Sequence, residues 1–223
     1  MSEPPTGPTL LGNFVHEVLE TMYKTVEPAD RTLQTAKFLS AQIWPNWSDQ
    51  IDEIIRNPDD RRQLRWQAWW CIENLFKMED PTKVVLTGVE TELNDTIGGV
   101  QIKGFIDRWV NTGDAIDISD YKTGKTPRPQ YRNDKFDQLL VYGIIVSAQT
   151  SLPIGNLELL YLKDGTKLTK TPTSSDIERV TETVVSIRNG IDSRCISGEF
   201  EPVSGPLCNW CHYKPICPYW SKK

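Results

Sequence analysis

The 223-residue sequence has no run approaching the roughly 20 apolar residues of a membrane span. Its opening, Met1-Ser2-Glu3-Pro4-Pro5-Thr6-Gly7-Pro8, lacks the basic start and apolar core of a signal peptide, so no membrane partner and a cytoplasmic location are expected. Five cysteines, Cys71, Cys195, Cys208, Cys211 and Cys217, are too few and too unevenly placed for a disulfide scaffold. Nor is there an excess of positive charge. Set against 30 Asp and Glu, 25 Lys and Arg leave a net charge of −5, which argues against indiscriminate wrapping of nucleic acid by a basic surface. Internal repeats and low-complexity tracts are absent. What remains is a composition, 38% hydrophobic and 25% charged, that supports one substantial core with a helical elaboration rather than two full domains.

Pattern divides the chain. Residues 1–8 read as a flexible lead-in and 9–25 as a first core helix, with Thr9 as its N-cap and Leu11, Phe14, Val15, Val18, Leu19 and Met22 at helical spacing. Residues 26–80 read as a helical subdomain broken at Pro28, Pro45 and Pro58. Trp66, Trp69 and Trp70 stand at i, i+3 and i+4, which predicts one buried helix face; the alternative is that they stack on bases of single-stranded DNA. After Pro81 the period changes to strand, over 84–93, 99–110 and 115–122, with Gly98 and Gly99 suiting a hairpin turn. A helix over 133–149 follows, then strands 156–163 and 167–171, and a last helix from a Ser174 cap to about 193. Residues 81–195 thus read as the main α/β core, and 196–223 as a Cys-rich tail.

Within that core, Ile116, Ile118, Asp120 and Lys122 alternate with period two and share one strand face, apolar first and then charged. Asp117 points to the other face. Asp107 lies in the strand before and Glu90 in the one before that. Gln138 and Tyr142, four apart, share a helix face. His16 sits on the flank of the first helix's apolar stripe. Lys122, Lys125, Arg128, Arg132 and Lys135 form a basic segment containing one acid, Asp134, which is either a solvated loop or a surface that meets phosphates.

The order His16, Gly104-x-x-Asp107-Arg108, Asp120-x-Lys122-x-Gly124-Lys125, Gln138-x-x-x-Tyr142 resembles the RecB-type branch of the PD-(D/E)XK nuclease superfamily, from about residue 10 to the C-terminus. The resemblance implies an α/β (α+β) fold: a restriction-endonuclease-like mixed sheet flanked by helices, with a helical insertion and a C-terminal Cys-rich metal-binding tail. It also implies Mg²⁺- or Mn²⁺-dependent hydrolysis of DNA phosphodiesters, on single strands and from an end. Its contexts are DNA repair, recombination or CRISPR adaptation, with a helicase or CRISPR adaptation partner. Asp107 and Asp120 are then the primary metal ligands, Tyr121 contributes its main-chain carbonyl, His16 completes the shell, and Glu90 supports it directly or through water. Lys122 positions the attacking water and the scissile phosphate. Gln138 and Tyr142 line the site. The rival class is a non-catalytic DNA-binding or assembly subunit that keeps the fold; the acid–lysine row speaks against it.

Cys208, Cys211 and Cys217, spaced C-x2-C-x5-C and followed by Pro218, favour zinc or an iron–sulfur cluster. In a subset of RecB-type nucleases such a trio, with a cysteine upstream of the histidine helix, holds a structural [4Fe–4S] cluster. No cysteine precedes His16 here. The fourth ligand is then Cys195, Cys71 or a residue of a longer natural chain, or the site holds Zn²⁺, with His212 or Cys195 among its ligands.

Overall fold

The computed structural model describes residues 4–220; residues 1–3 and 221–223, parts of the expected lead-in and tail, lie outside the described residues. Helix α1 (Gly7–Thr25) begins earlier than its predicted start. Thr6, not Thr9, is the N-cap, its hydroxyl accepting from the Thr9 amide, and Pro8 fits a first turn where no amide partner is needed. The predicted stripe is fully buried. Helix α2 (Leu33–Ile54) runs through Pro45 instead of breaking there. Ala36, Leu39 and Ile43 before the proline and Ile51 after it all bury in one core, which outweighs a single lost ladder bond.

Helix α3 (Pro58–Met78) corrects the tryptophan expectation. Trp66 and Trp70 are 68% and 43% exposed and Trp69 is half-buried. The buried stripe is Leu64, Ala68, Cys71, Ile72 and Leu75, the same three–four spacing moved around the helix.

Strands β1 (Gly88–Ile97), β2 (Val100–Asn111) and β3 (Ile116–Lys122) form an antiparallel meander. Gly98 and Gly99, at φ +56° and +79°, make its first turn, a conformation that suits residues without a Cβ. Helix α4 (Asp137–Thr150) then carries the chain across to β4 (Ile154–Tyr161), which pairs parallel to β3; β5 (Thr166–Lys170) returns antiparallel. The result is a five-stranded mixed sheet in the order β1-β2-β3-β4-β5, flanked by helices as expected. Helix α5 (Ser174–Ser197) is capped by Thr173 rather than Ser174, in a capping box with Asp176, and runs to Ser197.

Two cores sandwich the sheet. On one face α1, α2 and α3 pack over Tyr121, Leu160 and Leu162. On the other, α4 and the start of α5 pack over Ile106, Ile116, Ile118, Leu157 and Leu159. Asp117, on the other face of β3, is structural: its Oδ1 accepts from the Asn156 amide at 2.6 Å where the β3–β4 register shifts, and a Cβ on Gly155 would stand 2.5 Å from that oxygen. No described helix is long and apolar enough to cross a membrane.

Candidate active site

β1 and β2 keep one register along their length, yet their faces change at Glu90 and Asp107. Leu93 and Ile106 join the α4 core, whereas Val89 and Arg108 lie with residues of the α1–α3 side. The ladder pairs Val89 with Arg108 and Thr91 with Ile106 and skips the rung between. Glu90 is the cause: its φ of +46° is left-handed, which costs a side-chain-bearing residue roughly 1 to 3 kcal/mol. That twist sets the Glu90 carboxylate against His16.

His16, half-buried on α1, is 3.0 Å through Nε2 from the Tyr121 carbonyl. Its Nδ1 lies 3.5 Å from Asp107 Oδ2 and 3.9 Å from Glu90 Oε1. All three neighbours can only accept, so both ring nitrogens carry protons. Burial alone would lower the pKa of His16, but hydrogen bonds to Asp107 and Glu90, with the charge of Asp107 and the Tyr121 carbonyl, push it up to about 10.

His16, Glu90 and Asp107 offer ligand atoms all within 4.8 Å of one another. Ligands at about 2.1 Å from an octahedral ion stand roughly 3 to 4.2 Å apart, so small side-chain adjustments suit the trio to Mg²⁺ or Mn²⁺. Asp107 also anchors β3: its Oδ2 accepts from the Tyr121 amide at 2.7 Å, holding the residue whose carbonyl, in the following peptide, faces His16. Asp120 stands next to this group. Burial, then the negative charge of Asp107, raise its pKa to about 6, with Lys122 opposing. Lys122 Nζ is 2.6 Å from Asp120 Oδ2, an ion pair off hydrogen-bond alignment, so this buried oxygen has no aligned donor and could accept a cation.

Tyr142 and Gln138 lie on α4, joined by a 2.8 Å bond from Gln138 Nε2 to the Tyr142 hydroxyl. The Tyr142 ring covers Gly104, where a Cβ would come within 2.8 Å of Cε1; this is what the glycine of Gly-x-x-Asp is for. In the basic segment Lys125, Arg128 and Lys135 are exposed, while Arg132 Nε donates back to the Pro127 carbonyl. The Thr126 amide donates to Asp164, tying the loop to the β4–β5 turn.

Sequence reasoning missed a buried network behind the site. Arg108 donates to both oxygens of Glu79 at 2.6 and 2.8 Å and to the Tyr121 hydroxyl at 3.3 Å, and the Tyr23 hydroxyl donates to Glu79 at 2.7 Å. Arg108 belonged to the quoted motif. Glu79 carried no signal.

Among the described residues His16, Glu90 and Asp107 are the sole group of three such ligands within 4.8 Å, so the sulfurs of Cys208, Cys211 and Cys217 are not drawn together as the ligands of one zinc ion are. Cys195 is exposed on α5. Cys71 is buried among α1–α3, and that burial pushes its thiol up to about 11, Lys163 opposing.

The family model described as "PD-(D/E)XK nuclease superfamily" matches residues 2–218. The Gene 69 protein of Mycobacterium phage L5 is 25% identical over 182 residues, 76% of this chain and 59% of that protein, so the chain spans under two thirds of that relative's length. A crystal structure of a provisionally assigned exonuclease from Eubacterium rectale superposes with a TM-score of 0.57 over 96% of this chain and 76% of that one, at 15% identity, a likeness of fold.

Proposed function

Since the chain belongs to the PD-(D/E)XK nuclease superfamily, we propose that it hydrolyses DNA phosphodiester bonds with a divalent cation, cutting single strands from an end. The observation that carries this reading is the convergence of His16, Glu90 and Asp107 with the Asp120–Lys122 pair at one end of β3. A Mg²⁺ or Mn²⁺ ion, when bound, would neutralise phosphate charge and lower the pKa of water. Asp107, Asp120, Glu90, His16 and the Tyr121 carbonyl would hold it. Asp107 also holds the Tyr121 peptide in place through its amide.

Lys122 lies two residues beyond Asp120, and its ammonium is held by that carboxylate. From there it orients the attacking water and steadies a non-bridging oxygen of the scissile phosphate; its positive charge favours the more anionic transition state. Tyr142, packed on Gly104 and bonded to Gln138, walls the approach from α4. Lys125, Arg128 and Lys135 bind the flanking phosphates on the loop after β3.

Time courses on end-labelled single-stranded, duplex and circular single-stranded DNA with Mn²⁺ test this reading. Linear single strands should shorten progressively and circles should survive. Cut circles would replace the exonuclease reading with an endonuclease. We also propose that the tail binds metal through Cys208, Cys211 and Cys217, an iron–sulfur cluster or Zn²⁺; what supports this is their spacing, not the arrangement of their sulfurs. Metal analysis of protein purified without oxygen decides it: neither iron nor zinc bound would refute the proposal.

A further inference from the structure

We propose that the cleft formed by Phe14, Trp44, Trp66, Trp69, Lys37 and Arg65, across α1, α2 and α3, is a nucleobase-stacking site that holds single-stranded DNA outside the catalytic centre. The inference rests on the DNA-cleaving reading above and adds where the strand is held. The cleft has a volume of about 320 Å³. Trp66 is 68% exposed at its mouth, an indole left in water although aliphatic residues of the same helix are buried. Trp44 and Trp69 are half-buried beside it.

Both charged side chains that line the cleft are basic. Lys37 and Arg65 are its charged lining residues, and neither has a carboxylate partner among the described residues. Arg65 lies over the Trp44 ring, 4.9 Å from its centroid. Next to the cleft, Arg62 joins Arg65, Trp66 and Trp69 in a second hollow, with Asp59 as its partner. This is a local reversal in a chain of net charge −5.

Charge complementarity selects the occupant. An apolar helix would cover the indoles but leave Lys37 and Arg65 desolvated without a counter-charge. A duplex keeps its base faces stacked internally. A single strand brings an aromatic face for the tryptophans and a phosphate for Lys37 and Arg65 together, the pairing that sequence-tolerant single-strand binders use. Position agrees. Phe14 is two residues before His16 on α1, and Trp47, one turn beyond Trp44 on α2, donates to Glu17 at 2.5 Å in the wall of the metal-site cleft. Both clefts draw lining residues from α1.

The experiment is anisotropy of a fluorescent oligothymidylate, and of a duplex of equal length, on the whole protein in EDTA, with Trp66→Ala, Trp66→Phe and Arg65→Ala. Trp66 is exposed, so its variants should fold as the parent does. Expected is roughly a ten-fold or greater loss of single-strand affinity in Trp66→Ala, little change for duplex, and recovery of most of it in Trp66→Phe. With Mn²⁺, Trp66→Ala should raise KM and leave kcat unchanged. Equal single-strand binding by parent and Trp66→Ala, with cleavage intact, overturns the cleft and spares the nuclease reading. Parallel loss on single strand and duplex also overturns it, as does a changed sedimentation coefficient in Trp66→Ala with unchanged DNA binding, which would give the face to a second copy. A parent that neither binds nor cuts sinks both readings.

Discussion

Glu79→Gln isolates the network behind the site. In the folded protein Glu79 accepts two bonds from Arg108 and one from Tyr23. Its side chain is 17% exposed and that of Arg108 5%. Burial on its own would raise the Glu79 pKa, but the Arg108 bonds and charge outweigh it and hold the carboxyl below its ordinary value. Glutamine keeps the shape and the Tyr23 bond but leaves a buried guanidinium without its counter-charge. Removing one partner of a buried pair costs about 3 to 5 kcal/mol, and the residual exposure and retained bond place this variant near the lower end. A loss of ~3 kcal/mol in a domain of this size lowers Tm by roughly 6 to 12 °C.

The pH sign follows from the depressed pKa. The carboxylate's contribution is present above the unfolded value, about 4.3, and is lost as pH falls through the lower folded value. Parent and variant should therefore differ most near pH 7, and the gap should narrow as pH falls below about 4.3. Differential scanning calorimetry of both from pH 3 to 7.5 is the assay. Melting within 1 °C of each other at pH 7, or a gap that widens below pH 4, would refute the reasoning.

Asp120→Asn should abolish cleavage yet raise Tm by a few degrees in EDTA at pH 7.5. The buried carboxyl, raised to about 6 by desolvation and Asp107, weakens the folded state once ionised, so the gain should decline as pH falls below about 6 and disappear only below the unfolded value of about 4; a lower Tm at pH 7.5 counts against this. Gly104→Ala puts a methyl 2.8 Å from Tyr142 Cε1, so it should displace the ring and cost about 1 to 3 kcal/mol, read by chemical denaturation; unchanged stability and cleavage would contradict the packing. His16→Ala should weaken Mn²⁺ binding by ten-fold or more in isothermal titration. Parent binding should release close to one proton per ion at pH 7.5, since a ligating histidine must be neutral. Heat that does not depend on the buffer would argue against His16 as a ligand.

The acid–lysine row could be read from sequence because strand alternation fixes faces: Ile116 and Ile118 bury, and Asp120 and Lys122 follow on the same row. The sheet, its hairpin glycines and the α4 crossover were legible for the same reason. The tryptophans were not, since three–four spacing fits neighbouring helical stripes equally well, and the aliphatic stripe Leu64, Ala68, Ile72 and Leu75 took the core. Pro45 misled because local breaking lost to burial on both sides of it. Glu79 was invisible: its partners are 29 and 56 residues away and no motif links them. The twist at Glu90 was hidden too, because a left-handed backbone at a glutamate is imposed by tertiary contacts and has no glycine to announce it.

The central claim is that His16, Glu90, Asp107, Asp120 and Lys122 make one metal-dependent phosphodiesterase site. Single-turnover cleavage of end-labelled single-stranded DNA, parent beside Lys122→Ala, in Mn²⁺ and in EDTA, tests it most directly. The parent should cut in Mn²⁺ alone, and Lys122→Ala should cut at least a thousand-fold more slowly, roughly 4 kcal/mol of transition-state stabilisation, with DNA binding and Tm preserved. Cutting by Lys122→Ala at the parent's rate, or by the parent in EDTA, would contradict it.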